Sequence, residues 1–112
     1  MPYTNAHVSD AESVLPDDAM GEMWMLRDEL DTDSLGFTVL ALEPGEQTMS
    51  HTHVEDDREE VYYVVTGGVD VDLGDRTVSL DEDEAVRISP DEERQILNRD
   101  EFSKLVLASA PV

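Results

Sequence analysis

A chain of 112 residues is enough for one ordinary domain and too short for two. It carries 28 acidic residues against 7 basic ones, a formal charge of -21, which excludes the basic face that nucleic acid or an anionic membrane would need in a partner. The absence of cysteine excludes disulfides and thiolate metal sites, and no apolar run approaches the roughly 18 residues of a membrane span.

The acids are spread along the chain as short clusters, among them Asp17-Asp18, Glu55-Asp56-Asp57, Asp81-Glu82-Asp83-Glu84 and Asp91-Glu92-Glu93. Distributed in this way they read as the surface of one folded domain rather than as a tail. Their mutual repulsion is screened in molar salt, where the Debye length falls to ~3 Å, so the composition is that expected of a halophile's protein. A mimic of nucleic acid is the competing reading of such acidity. The first residues show neither a basic start nor an apolar block, so no signal peptide is expected and a cytoplasmic location is.

Residues 1–21 show little apolar periodicity and are expected as an N-terminal arm. Ser9-Asp10-Ala11-Glu12 has the form of a capping box that would open a short helical turn stopped at Pro16; an extended arm along a sheet edge is the alternative. From Glu22 the pattern is strand-like, and residues 22–112 are expected as one barrel domain. Strands are predicted over Met23 to Leu26, Leu35 to Leu42 and Thr48 to His53, the second ended by Pro44-Gly45. Val61-Tyr62-Tyr63-Val64-Val65 is β-branched and aromatic and stops at Gly67-Gly68. Val69 to Leu73 and Arg76 to Leu80 form a hairpin about Gly74-Asp75. Ala85 to Ile88, Arg94 to Asn98 and Lys104 to Ala108 supply three more strands. Many short strands at close spacing, with no long 3.6-residue period, specify an all-β sandwich or barrel.

His51 and His53 are one residue apart, so on a strand both imidazoles face the same way. Glu60 begins the next strand after the polar loop of residues 54–59, and an antiparallel return sets it opposite the pair. Two imidazoles and a carboxylate suit a divalent Mn, Fe, Co, Ni or Zn ion with positions left open for water or substrate. Glu59 is the rival to Glu60; the face shared by Glu60, Tyr62 and Val64 favours Glu60. Glu55-Asp56-Asp57 lacks the spacing and glycine of an EF-hand and reads as a solvated turn.

The order Gly45, His51, His53, Glu60, Gly67 resembles the first signature motif of the cupin superfamily, with a longer gap between His53 and Glu60 than is usual there. The resemblance implies a single small jelly-roll barrel, with His51, His53 and Glu60 as metal ligands. The second motif is degenerate. Aligned on Asn98, its leading glycine falls on Asp83, its proline on Ser89, its second glycine on Asp91 and its histidine on Arg94; a slipped register would offer Gln95. The family's fourth ligand is thus an arginine, which cannot ligate. A guanidinium ~5 Å from a divalent ion is repelled by several kcal/mol even at an effective dielectric near 20. Two arrangements follow. Arg94 swings aside and steers an anionic ligand beside a three-ligand metal, or it replaces the metal and pairs with Glu60. The first gives a metal-binding barrel for a small anionic organic ligand, the metal acting as a Lewis acid or oxygen-binding centre. The second gives a metal-free binding module. Tyr62 and Met49 are further candidates for the ligand pocket. Trp24 and Met25 are expected in the core or, with the arm, across the twofold axis of a homodimer.

Overall fold

In the computed structural model of the chain, residues 2–15 and 21–112 are described. Among these residues are eight strands, β1 (Glu22–Met25), β2 (Gly36–Leu42), β3 (Arg58–Thr66), β4 (Gly68–Asp72), β5 (Thr77–Asp81), β6 (Ala85–Ile88), β7 (Gln95–Asn98) and β8 (Ser103–Pro111). They form a five-stranded sheet of order β1-β2-β8-β3-β6 and a three-stranded sheet of order β5-β4-β7. Every pairing is antiparallel. The molecule is therefore all-β, as the strand spacing predicts, and a jelly roll, as the resemblance to the cupins implies. Among the described residues no helix is long and apolar enough to cross a membrane.

The core lies between the sheets and follows the period-2 rule. Leu40 and Leu42 of β2, Tyr62 and Val64 of β3, and Leu105 and Leu107 of β8 meet Val69, Val71, Leu80 and Ile96 from the smaller sheet. The alternate residues of the larger sheet point outward and are mostly apolar, with Glu22, Glu59, Arg87 and Lys104 among them. Trp24, Val39, Val106 and Tyr63 stand in register across four strands, and Val61 and Tyr63 are each 37% exposed. The centre of this face is thus apolar on a highly acidic molecule.

Two local expectations are corrected. The strand foreseen over Thr48 to His53 is not a ladder. It touches its neighbours through the isolated bridges Gln47↔Leu97 and His51↔Arg94, because its backbone bonds fall at irregular intervals: Thr48 N–H to Ile96, His51 N–H to Arg94 and His53 N–H to Pro90. The capping box sits two residues earlier than expected. His7 accepts from Ser9 N–H and Asp10 accepts from His7 N–H, closing a 3-10 turn over Val8–Asp10. The foreseen stop at Pro16 lies outside the described residues. Beyond that turn, Ser13 and Val14 run beside β1, where Val14 N–H donates to the Met23 carbonyl and Met23 N–H to the Ser13 hydroxyl. A one-turn helix, α1 (Arg27–Leu30), fills the segment after β1 and ends at Asp31 in the left-handed region, φ 55°.

The two motif glycines and Asn98 tie the barrel's connections. Gly67 has φ +83°, and a Cβ there would collide with the Phe102 carbonyl and the Ser103 hydroxyl. Asn98 is buried and donates to the carbonyls of Leu42, Glu43 and Glu101, and accepts from Ser103 Oγ at 2.6 Å. One side chain therefore joins the end of β2 to the connections on either side of it, its two amide hydrogens shared among three carbonyls.

Candidate metal centre

Glu60 owes its position to the alternation along β3. Arg58, Glu60, Tyr62 and Val64 share one face and descend from the open end of the barrel into the core. Glu60 is 8% exposed, Tyr62 1% and Val64 0%. Glu59, the rival, points outward and lies 3.9 Å from Arg87. The long gap before Glu60 closes as a turn: Asp57 adopts φ 53° and its N–H donates to the His53 carbonyl. The loop thus returns the chain to β3 without displacing Glu60.

The structure brings His51, His53 and Glu60 together, with donor atoms all within 4.8 Å of one another. The imidazole centroids are 5.1 Å apart and nearly perpendicular. The cluster sits at the mouth rather than deep in the barrel, since His51 is exposed, His53 half-buried and Glu60 buried.

Each imidazole is held through Nδ1. That of His51 faces the Met49 carbonyl at 3.3 Å, and that of His53 faces the Asp56 carboxylate at 3.0 Å. A proton on Nδ1 leaves Nε2 as a bare lone pair, the form a metal requires. The hydrogen bond from His53 also holds the exposed Asp56 carboxyl below its ordinary range. Nε2 of His53 is buried with no hydrogen-bond partner among the described residues, and it lies 3.4 Å from Glu60 Oε1. With Nδ1 donating to Asp56, that contact sets a lone pair against a carboxylate oxygen. Such a contact is relieved by a proton on Nε2 or by a cation, and the Arg94 guanidinium already stands 3.1 Å from Glu60 Oε1. Two imidazoles and a carboxylate with donor atoms within 4.8 Å of one another are a set that fits a divalent ion, and metal–ligand bonds of roughly 2.0–2.2 Å would draw the donors inward.

Arg94 does not swing aside. It is 0% exposed, its Nη1 is 3.1 Å from Glu60 Oε1, and its remaining donors reach the carbonyls of Ser89 and Glu92 at 2.6 and 2.9 Å. Its place beside Glu60 agrees with the register aligned on Asn98. So does Asp83, which stands where the motif has glycine and adopts φ 66°. A carboxylate has two oxygens; Arg94 occupies Oε1, and Oε2 remains. Burial and then the Glu60 charge push the Tyr62 phenol well above its usual value, with Arg94 acting in the opposite sense. Tyr62 is therefore a neutral wall behind Glu60. Met49 stands 85% exposed on the segment before His51.

A cavity of about 250 Å³ opens beside the cluster, lined among others by His53, Glu60, Met25, Phe37, Arg27 and Arg58. Neither arginine is evident from the motif. Arg58 was legible all the same, because extending the Glu60, Tyr62, Val64 alternation back by two residues reaches it. Arg27 had no such signal, since α1 carries it there from another part of the chain.

The cupin domain family matches residues 38–109. Similar folds include a predicted oxalate decarboxylase of Thermotoga maritima (TM-score 0.79, 16% identity, 96% of this chain and 99% of that one). A sugar phosphate isomerase of the cupin superfamily from Silicibacter pomeroyi has TM-score 0.77 and 20% identity over 96% and 76% of the two chains. A cupin protein of Bacteroides fragilis has TM-score 0.74 and 19% identity over 92% and 86%. At these identities the likeness is one of fold. No curated protein matches the chain.

Proposed function

Starting from a chain that belongs to the cupin family, we propose that its barrel binds a divalent metal through His51, His53 and Glu60 and a small organic ligand in the adjoining cavity. The observation that carries this reading is the buried, unpartnered Nε2 of His53 inside a three-donor cluster. Asp56 and the Met49 carbonyl fix the imidazoles with Nε2 free, and Arg94 fixes Glu60 by one oxygen. When bound, the metal would supply Lewis-acid polarisation of a ligand oxygen. The residues around it would orient the ligand.

A second reading is favoured by the buried Arg94–Glu60 pair at 3.1 Å. In it the guanidinium neutralises Glu60 permanently, and the barrel is a metal-free binding module. Arg94→Ala separates the two. Removing one partner of a buried pair costs about 3–5 kcal/mol when nothing else compensates the charge. With a metal on Glu60, the variant's unfolding free energy should recover substantially when Mn²⁺ or Zn²⁺ is added to stripped protein. The added ion should stabilise the wild type as well, and His53→Ala much less. If neither ion stabilises the wild type or Arg94→Ala, the metal-free module is the correct reading.

A further inference from the structure

The chain holds six arginines among 28 carboxylates. Arg76, Arg87, Arg94 and Arg99 all lie within ion-pair distance of an Asp or Glu. Arg27 and Arg58 have no carboxylate partner among the described residues, and both line the cavity shared by His53 and Glu60. Both are half-buried. They are held in place by neutral groups. Arg58 donates through Nε to Ser109 Oγ at 3.2 Å and through Nη2 to the carbonyls of Ser34 and Ser109 at 2.8 and 2.9 Å. Arg27 donates through Nη2 to the Asp33 carbonyl at 2.8 Å. Nη1 of Arg58, and Nε and Nη1 of Arg27, have no partner among the described residues. The backbone makes room for this arrangement. Gly36 lies under Arg58, where a Cβ would press on the Ser109 hydroxyl and stand 3.4 Å from Arg58 Nη2.

The carboxylates in the same cavity are already engaged, Asp56 with His53 and Glu60 with Arg94. Arg58 lies near enough to Asp56 to help hold that carboxyl low, but neither arginine is ion-paired among the described residues, and the two are the cavity's least committed charge. A molecule of net charge -21 repels anions at long range in dilute salt. In molar salt, where fields decay within ~3 Å, only the nearest charges matter.

We infer that Arg27 and Arg58 form an anion clamp at the mouth of the barrel that seats a carboxylate of a small organic acid, turning the rest of that acid toward His51, His53 and Glu60. Arg27 keeps Nε and Nη1 free for a carboxylate, and Arg58 adds charge-assisted hydrogen bonds from Nη1 alone, its Nε and Nη2 being held by Ser34 and Ser109. Met25, Phe37 and Thr38 in the same lining offer apolar surface to a carbon skeleton, which an inorganic anion would not use. At about 250 Å³ the space falls below the range of drug-sized pockets, so the acid is small. The assignment deepens the metal-centre reading, on which the orientation of the ligand's far end rests.

Calorimetric titration of malonate, succinate, malonamide and inorganic phosphate in fixed KCl, with metal content measured in parallel, tests it. At least one dicarboxylate should bind wild type saturably, with affinity lowered tenfold or more in Arg27→Gln, while malonamide does not bind. Arg58→Lys, which keeps the charge but loses the Nη1 donor along with the bonds to Ser34 and Ser109, should weaken binding too, and unfolding curves of both variants that match wild type exclude a fold defect as the cause. Metal content should be the same in all three proteins. Dicarboxylate binding unchanged in both variants, no saturable binding to wild type, or tighter binding of phosphate than of either dicarboxylate would overturn the clamp. A metal-free wild type that still binds a dicarboxylate through Arg27 would sink the metal reading alone. A metal-loaded wild type indifferent to all four probes would sink the clamp alone.

Discussion

Buried polar side chains are expensive unless they are answered, and Glu60 and Arg94 answer each other at 3.1 Å beside His53, with Tyr62 buried next along the same face of β3. Arg94 satisfies Glu60 Oε1 and binds two carbonyls, so its charge is spread over the β6–β7 connection instead of facing the cavity. Tyr62 remains protonated because burial and the Glu60 charge both oppose a phenolate there. That shift has a consequence for stability. Its folded pKa lies above the unfolded value of about 10, so the phenol's contribution is complete below pH 10. Above that pH the unfolded chain loses a proton that the folded one keeps, and stability falls. Tyr63, an exposed phenol whose pKa is raised by its bond to Asp83, adds a smaller share. Denaturant unfolding between pH 8 and 11 should therefore show a decline for wild type that is clearly shallower in Tyr62→Phe. Equal slopes in the two proteins would show that Tyr62 is not held neutral by its surroundings.

Strand β3 was legible because one rule governs it. Its alternation selected Glu60 over Glu59 and put Tyr62 and Val64 on the same inner face, and the structure has all three there. The other regular strands follow from their β-branched runs and the glycine or acidic turns between them. Thr48 to His53 was misread because alternation reports which way side chains point, not whether a backbone ladder forms. His51 and His53 still converge, though the bonds around them are irregular. The second motif located Arg94 beside Glu60 through Asn98, but spacing alone left two orientations for its guanidinium. The carbonyls of Ser89 and Glu92, which decide the matter, are a property of the folded loop. Arg27 was invisible for a related reason: only the packing of α1 against the start of β2 brings it to the cavity. Met49 shows the opposite failure, for nearness in sequence to the histidines did not carry it inward.

At the scale of the whole molecule, two surfaces set the behaviour in solution. The acidic surface repels itself at low ionic strength, and we propose that the outer face of the five-stranded sheet around Trp24, Val106 and Tyr63 pairs with a second copy of the chain. Screening favours both compaction and association, so the two effects should appear together. Between ~0.1 M and molar KCl the melting temperature should rise markedly, and light scattering in molar KCl should give the mass of two chains. A salt-independent melting temperature would reject the electrostatic account. A one-chain mass in molar salt would reject the homodimer, as would a Trp24→Glu variant that still pairs at the wild-type concentration dependence.

Elemental analysis of protein purified without chelator or affinity tag, beside His53→Ala prepared in the same way, tests the central claim most directly. A divalent centre built on His51, His53 and Glu60 predicts about one transition-metal ion per wild-type chain and a large loss in the variant. Wild type that carries no such ion, and takes up none from Mn, Fe, Co, Ni or Zn salts, would contradict the metal centre and leave the Arg94–Glu60 pair as the permanent occupant of the barrel's mouth.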